Sequence, residues 1–307
     1  MKEVFTFNLI ISGLSLSTPL LLAAFGGLLS ERAGVINMAL EGQMLFGAFA
    51  GVAVTWWLHS PWLGLAGALL VGALTGLLHA WLSVSLRANQ IISATAINLI
   101  AAGLTAALIQ PIWGHAGISP SVAKFNQITI PLLGHVPFIG RFAGRLSLLD
   151  WVALMLAPLV WVVLYRTAFG LRLRSCGEAP TAAVSVGVDV IRMRYTAVML
   201  SGILAAAGGA YLSLVQVGVF QRNMTSGRGF IALAAMIFGK WRPVPVLGAC
   251  LLFGVADAFQ YRTQVAGVNV PHELLLALPY IVALVALATF VGRASAPAAL
   301  GKHFVKE

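Results

Sequence analysis

The sequence predicts a single-domain, all-α membrane bundle of about eight to ten spans, and three observations predict it. Only 9% of the 307 residues are charged and 60% are apolar, with a mean hydropathy of +0.94, whereas a soluble domain carries about 25% charged residues. Apolar runs of about 20 residues recur along the chain, long enough to cross a bilayer as helices. Thirty-two glycines accompany them, and small residues let membrane helices approach closely.

In chain order the spans fall at about 8–29, 35–57, 62–84, 91–111, 148–165, 195–217, 229–239, 243–262 and 273–291. The first run, from about Leu9 to Leu29, is too long for the core of a cleavable signal and lacks a small-x-small cleavage site, so it reads as a span. The seventh, at 229–239, is too short to cross as a straight helix. It is either part of a longer tilted helix or a broken, re-entrant piece. Trp56, Trp57 and Trp62 bracket a turn at a membrane interface, where indole rings favour the head-group zone. Small residues recur at four-residue spacing in Ala68/Gly72/Gly76, in Ser201/Ala205/Gly209 and in Gly47/Gly51, which predicts close helix packing within one subunit. The connection 112–147 follows Pro111 and holds Pro120, Pro131 and Pro137, so turns and short pieces are expected there, serving as a lid or meeting an external partner.

The longest polar interruption of the second half runs from Arg166 to Tyr195. It carries Arg166, Arg172, Arg174, Arg192 and Arg194 against Glu178 and Asp189. Basic residues beside spans mark the cytoplasmic side. With this loop (166–194) inside, alternation puts twelve Lys and Arg inside and seven outside, and places 112–147 outside. A short helix is expected from Pro180, which suits a first helical position, through Ala182, Ala183, Val184 and Val186 to a left-handed cap at Gly187. Two turns of helix cannot fold alone. Either this one lies on its own membrane domain or it docks on a cytoplasmic partner.

Three stretches carry a family resemblance. Gly177-Glu178-Ala179-Pro180-x-Ala182-Ala183-x-x-x-Gly187-Val188 resembles the coupling segment of ABC importer permeases of the branched-chain amino acid, ribose and nucleoside class. Glu31-Arg32-Ala33-Gly34-Val35-Ile36-Asn37 followed by Glu41-Gly42, and later Gly229 to Trp241, resemble two hallmarks of the simple-sugar and nucleoside permeases. The stretches occur in family order. The resemblance implies a type II ABC importer-like fold in a bacterial cytoplasmic membrane. It implies purine nucleosides as cargo, with ribose-type sugars second, and ATPase-coupling roles for Gly177, Glu178, Pro180, Ala182, Ala183 and Gly187. The implied partners are a cytoplasmic ATPase, a second permease subunit of the same or a related kind, and an external solute-binding protein. Arg32-Ala33-Gly34 and Arg228-Gly229 each precede an apolar, Gly/Ala-rich segment, which is either a weak internal repeat of the kind many transporters carry or chance similarity in low-diversity apolar sequence.

Polar residues inside spans mark the candidate substrate pathway, because a charge in the bilayer centre costs about 2.5–3.5 kcal/mol on insertion scales. Glu41 falls one helical turn after Asn37, Asn98 lies inside the fourth span beside Thr95, and Asp257 precedes Gln260 and Tyr261 by three and four positions. Each either contacts substrate or hydrogen-bonds between helices; carboxylates and carboxamides suit the hydroxyls and base edges of a nucleoside. Phe25, Phe46, Phe49 and Phe253 either stack on a base or pack in the bundle. Other functions find no motif. There is no Gly-x-x-x-x-Gly-Lys-Ser/Thr phosphate loop, no Gly-x-Ser-x-Gly nucleophile turn, and the six histidines lack metal spacing. The basic residues are scattered between spans, which argues for lipid head groups and against nucleic acid. Neither a catalytic role, a metal nor a bound cofactor is expected of the chain. ATP would be used by its partners, unless a gradient drives a carrier working alone.

Overall fold

The computed structural model describes residues 7–125, 146–266, 274, 277, 281, 285 and 295–304. These residues form helices α1 (Phe7–Arg32), α2 (Leu40–Leu58), α3 (Pro61–Ala80), α4 (Gln90–Trp113), α5 (Leu148–Arg166), α6 (Ala168–Glu178), α7 (Pro180–Ser185), α8 (Val190–Tyr211), α9 (Arg228–Phe238) and α10 (Pro243–Val265). α3 and α8 each continue into a π-helical turn, at Trp81–Ser85 and Leu212–Val217. Among the described residues the only pairing of extended backbone is an isolated bridge between Ile118 and Gln221. The expected all-α membrane bundle is therefore the fold. Six stretches are long and apolar enough to cross a membrane: Asn8–Arg32, Pro61–Ser85, Gln90–Trp113, Leu148–Arg166, Val190–Val217 and Pro243–Val265. The expected span at 273–291 and most of the connection 112–147 lie outside the described residues.

The elements start and stop where their residues dictate. Asn89 caps α4 by accepting from the amides of Ile91 and Ile92. Ser147 and Asp150 cap α5 reciprocally. Proline stands at the first position of α3, α7 and α10, where no N–H is needed. α9 has 11 residues, about 16 Å at 1.5 Å per residue, against a hydrocarbon core of about 30 Å. It is a broken piece, entered through turns that end at Gly227.

Two helices form the centre. α1 lies between α8 and α10, and α8 also packs on α2 and α3. Leu20, Leu21, Phe25 and Leu28 of α1 are fully buried. Membrane helices gain little from hydrophobic transfer against one another, so close van der Waals approach must hold them. The small-residue rows supply it. A Cβ on Gly72 would stand 2.5 Å from both the Gly202 carbonyl and the Ala206 methyl, and one on Gly76 2.8 Å from the Val198 carbonyl. Cβ atoms on Gly47 and Gly209 would collide with the carbonyls of Ala206 and Met44. All of these contacts are within the chain, as the spacing predicts.

Two expectations need correction. The second span does not begin at 35. Residues 33–39 are unwound and α2 starts at Leu40, so Asn37 precedes the helix and does not share a helical face with Glu41. The reason is Gly34, whose φ of +92° breaks the helix; its Cβ would also stand 2.9 Å from the Arg194 guanidinium. The polar segment 166–194 is not mainly a loop either. α6 occupies Ala168–Glu178, with Thr167 capping it through the Gly170 amide. Its eleven residues hold too few apolar side chains to stand out in hydropathy.

The unwound link lies within the apolar bundle, where every backbone polar group needs a partner. The Val35 amide donates to the Ser30 carbonyl, and the Ser30 hydroxyl to the Val35 carbonyl. The Ile36 amide donates to Gln90 Oε1 at 2.8 Å, and the Ile36 carbonyl faces His79 Nε2 at 2.9 Å. A carbonyl only accepts, so His79 carries its proton on Nε2 and accepts from Ser93 at Nδ1. Asn98 grips the link from α4, donating to the Met38 carbonyl and accepting from the Gly42 amide. Arg194 Nε donates to the Ala33 carbonyl, and the Gly301 amide to the Gly34 carbonyl.

Replacing His79 with Ala orphans the Ile36 carbonyl and the Ser93 hydroxyl, each a buried group. A loss of about 2–4 kcal/mol is expected, read as a lowered melting temperature of the detergent-solubilised chain. An unchanged melting curve would mean that the link holds without this histidine.

Candidate functional site

One end of the bundle gathers the arginine-rich segment, the link and the C-terminal residues. α6 runs to Glu178, and Ala179 turns the chain into α7 with Pro180 at its start. The α7 exit is the expected left-handed cap: Gly187 has φ +82°, its amide donates to the Val184 carbonyl, and the Val188 amide donates to the Ala183 carbonyl. Val188 also packs on the buried cluster of Cys176, Ala183 and Val190, which closes the cap on its apolar side.

The six expected coupling residues differ in exposure and partners. Gly177 and Ala183 point inward. A Cβ on Gly177 would collide with the Arg32 carbonyl, so α6 crosses the end of α1 at backbone contact. Ala182 and Gly187 are exposed, with nothing within 4 Å of a Cβ at Gly187. Pro180 is half-buried. Glu178 is partnered within the chain: one oxygen is 3.7 Å from Arg32 Nη1 and the other accepts the Ala298 amide at 3.2 Å. The most protruding apolar side chain here is Val186, 76% exposed, flanked by exposed Thr181 and Ser185. The spacing argument overlooked it because Val186 reads as one more helix residue.

The C-terminal residues strap this segment down. The Ala299 amide donates to the Gly177 carbonyl at 2.8 Å, Arg194 Nη1 donates to the Lys302 carbonyl at 2.9 Å, and Phe304 packs on the Cys176 cluster. Burial pushes the Cys176 thiol above its ordinary range, with Arg194 pulling the other way. Arg32 Nε donates to the Trp241 carbonyl, and the Trp241 indole donates to Glu31 at 2.6 Å. The first and last family-like stretches thus meet directly.

The intramembrane candidates separate by their partners. Glu41 accepts from Thr225 Oγ1 at 2.6 Å, the Gly227 amide at 2.8 Å and the Gly229 amide at 2.7 Å. Its carboxylate sits on the positive N-terminus of the broken helix α9, which an anion stabilises. Asn37 donates to Gln43 and Ser201 and accepts from the Ala39 amide, while Asn98 holds the link. Glu41, Asn37 and Asn98 therefore hydrogen-bond the frame. Asp150, which the sequence analysis did not single out, is fully buried and accepts from Thr18, Tyr211 and both the amide and hydroxyl of Ser147.

Asp257 and Gln260 differ. Both are buried, at 9% and 8% exposure, and neither has a hydrogen-bond partner among the described residues. Arg228, at the start of α9, is the positive charge acting on Asp257. Tyr261, four residues on, shares the Asp257 side of α10 and lines a cavity of about 750 Å³ at the end of the bundle opposite the arginine-rich segment. Its polar wall is Ser12 and Ser15 of α1, Gln216 after α8, and Arg262, whose Nη2 reaches Ser12 Oγ at 3.3 Å. This volume falls in the range of small-molecule sites, roughly 300–1,000 Å³. Three sequence-distant elements supply the lining; of the residues singled out in the sequence Tyr261 belongs to it, while Asp257 and Gln260 do not. The candidate stacking rings are packed: Phe25 is fully buried, Phe46 packs half-buried on the core, Phe49 meets Trp113 and Phe220 edge-on, and Phe253 stacks on Phe238.

Comparison with known proteins covers nearly the whole chain. Residues 9–287 match the family described as branched-chain amino acid transport system / permease component. The guanosine ABC transporter permease protein NupQ of Bacillus subtilis is 40% identical over 300 residues, 94% of each chain. The nucleoside ABC transporter permease protein NupC of Lactococcus lactis subsp. cremoris is 39% identical over 318 residues, 100% of this chain and 99% of its own. A putative glucose ABC transporter permease protein of Haloferax volcanii is 39% identical over 264 residues, 85% of this chain and 79% of its own. No solved structure matches. With the matched region spanning the bundle from α1 onward, the chain belongs to the branched-chain amino acid transport system permease family and is a multi-pass membrane permease subunit.

Proposed function

We propose that this chain is the translocating subunit of an ATP-driven importer of nucleosides, purine nucleosides foremost. The observation that carries the reading is the identity of about 40% over nearly the full length with permeases named for guanosine and nucleosides. A bacterial cytoplasmic membrane houses it, with the arginine-rich end toward the cytoplasm by the positive-inside rule. A second permease subunit completes the pathway. Cytoplasmic ATPases bind the α6–α7 segment, and an external binding protein delivers cargo to the cavity at the other end. The chain itself catalyses no step and holds no ATP. Sugar import is the second reading, favoured by the Haloferax volcanii relative named for glucose.

Uptake of radiolabelled guanosine and ribose, with and without the chain and with and without ATP depletion, decides between these. ATP-dependent guanosine uptake that ribose does not compete is the expected result. Loss of ribose uptake alone on deletion replaces the cargo, and uptake that survives ATP depletion replaces the energy source.

The docking surface is the exposed tip of α7 rather than Glu178, which is engaged within the chain. Val186→Glu is expected to leave stability within about 0.5 kcal/mol, as an exposed substitution does, while uptake falls and ATP hydrolysis no longer responds to substrate. Coupled transport at the normal rate in this variant would place the ATPase contact elsewhere.

Asp257 and Gln260 carry the substrate contacts, because they alone among the intramembrane candidates have no hydrogen-bond partner among the described residues. Asp257→Asn is expected to reduce uptake roughly tenfold or more, the loss of one charge-assisted hydrogen bond, with little change in melting temperature. Glu41→Gln is expected to do the opposite. It sets an amide against the α9 N–H groups and costs about 2–4 kcal/mol of stability. Equal melting losses in the two variants would assign Asp257 to the frame as well.

A further inference from the structure

The arginine-rich end holds a second cavity, of about 560 Å³, that no step of transport uses. Its charged wall comes from three elements: Arg32 at the end of α1, Arg174 in α6, and Arg242 immediately before α10. Trp161 and Tyr165 of α5 and Val244 of α10 complete it. Arg174 and Arg242 each stand within electrostatic reach of Arg32. One acid faces the cluster: Glu178, 3.7 Å from Arg32. Three positive charges thus meet one negative one, and α10 adds the positive end of its dipole.

Arg174 is fixed in place with hydrogen-bonding capacity unused among the described residues. Its guanidinium carbon sits 4.8 Å from the Tyr165 ring centroid, which fixes the side chain by cation–π contact. Its Nε is buried without a hydrogen-bond partner among the described residues. A buried guanidinium N–H left unmade is costly, so an acceptor is expected there. Planar guanidiniums match phosphate oxygens in geometry as well as charge.

The walls say what else the ligand carries. From Val244, 62% exposed, an outward face continues along α10 through Gly248, Leu252 and Val255. From Trp161, an outward face of α5 continues through Val162, Leu159, Met155 and Val152. Both faces are apolar, begin at the cavity and run toward the middle of the spans. An acidic protein segment would have no use for them, whereas an acyl chain would lie along them.

We propose that this cavity seats the phosphate head group of an anionic phospholipid, held by Arg174 and Arg242 with Arg32 behind them, its acyl chain lying on α5 and α10. The site fixes the α1 and α10 ends to α6, the helix that leads into α7. The inference stands without the importer reading, since lipid retention is measured without transport.

The test uses the full chain purified from membranes into detergent, supplied with phosphatidylglycerol and phosphatidylethanolamine of the same acyl chains, with bound lipid counted by native mass spectrometry. Preference for phosphatidylglycerol is expected to fall roughly fivefold for each of Arg174→Gln and Arg242→Gln, and further in the double variant. The charge-matched variant Arg172→Gln/Arg192→Gln, altered at exposed positions away from the cavity, keeps the preference. The single variants carry the test if the double does not fold. Equal retention in all variants overturns the proposal. Displacement of the lipid by excess inorganic phosphate also overturns it, in favour of a soluble anion. So does unchanged lipid retention with loss of co-purifying ATPase, which would make the cavity a protein contact.

Discussion

The structure depends on one constraint: a seven-residue break, Ala33 to Ala39, lies largely buried at the arginine-rich end of an apolar bundle, and most of its backbone must find partners within the protein. The side chains that serve it come from all around. Ser30 belongs to α1, His79 to α3, Gln90 and Asn98 to α4, and Arg194 to α8. The break thereby fixes the relative positions of four helices that share little else but close packing. This explains why a stretch resembling a family hallmark is only partly apolar. Gly34 makes the break, and Glu31, Arg32, Asn37 and Glu41 anchor its two ends.

The break also joins the two ends of the molecule. On one side, Gly177 touches the Arg32 backbone, and the C-terminal strap bonds both Gly177 and Gly34. On the other side, Asn37 reaches Ser201 and Gln43, and Glu41 caps α9. Hydrogen bonds and backbone contacts therefore run without interruption from α6 through the break to the broken helix α9. Close-packed interfaces respond to displacement by switching between arrangements rather than by yielding gradually. Buried carboxylates at Glu31, Glu41 and Asp150, each met by donors, suit the role of fixed points about which such a switch turns.

The helical class and most span positions were legible because hydropathy is a one-dimensional signal with a length scale set by the bilayer. The breaks were less so. Arg32 to Gly42 contains enough alanine, valine, isoleucine and leucine to pass for the start of a helix, and Gly34 alone marks the discontinuity. α6 escaped for the converse reason: its arginines and serine hide a regular helix within a polar segment. The α7 cap was legible because proline at a first position and glycine with positive φ are local chemistry. The roles of the buried polar residues were not, because whether Glu41 or Asp257 is partnered depends on residues some 190 or 30 positions away that meet only in the fold.

That partnering is what separates frame from pathway. A carboxylate within a membrane bundle is retained either because it is hydrogen-bonded or because something passing by needs it. Of the four buried acids among the described residues, Glu31, Glu41 and Asp150 have donors at 2.6–2.8 Å, and only Asp257 has none. Arg228, whose positive charge bears on Asp257, sits at the start of the broken helix that Glu41 caps. Motion of α9 would move Arg228 relative to Asp257, changing how strongly the carboxylate is held.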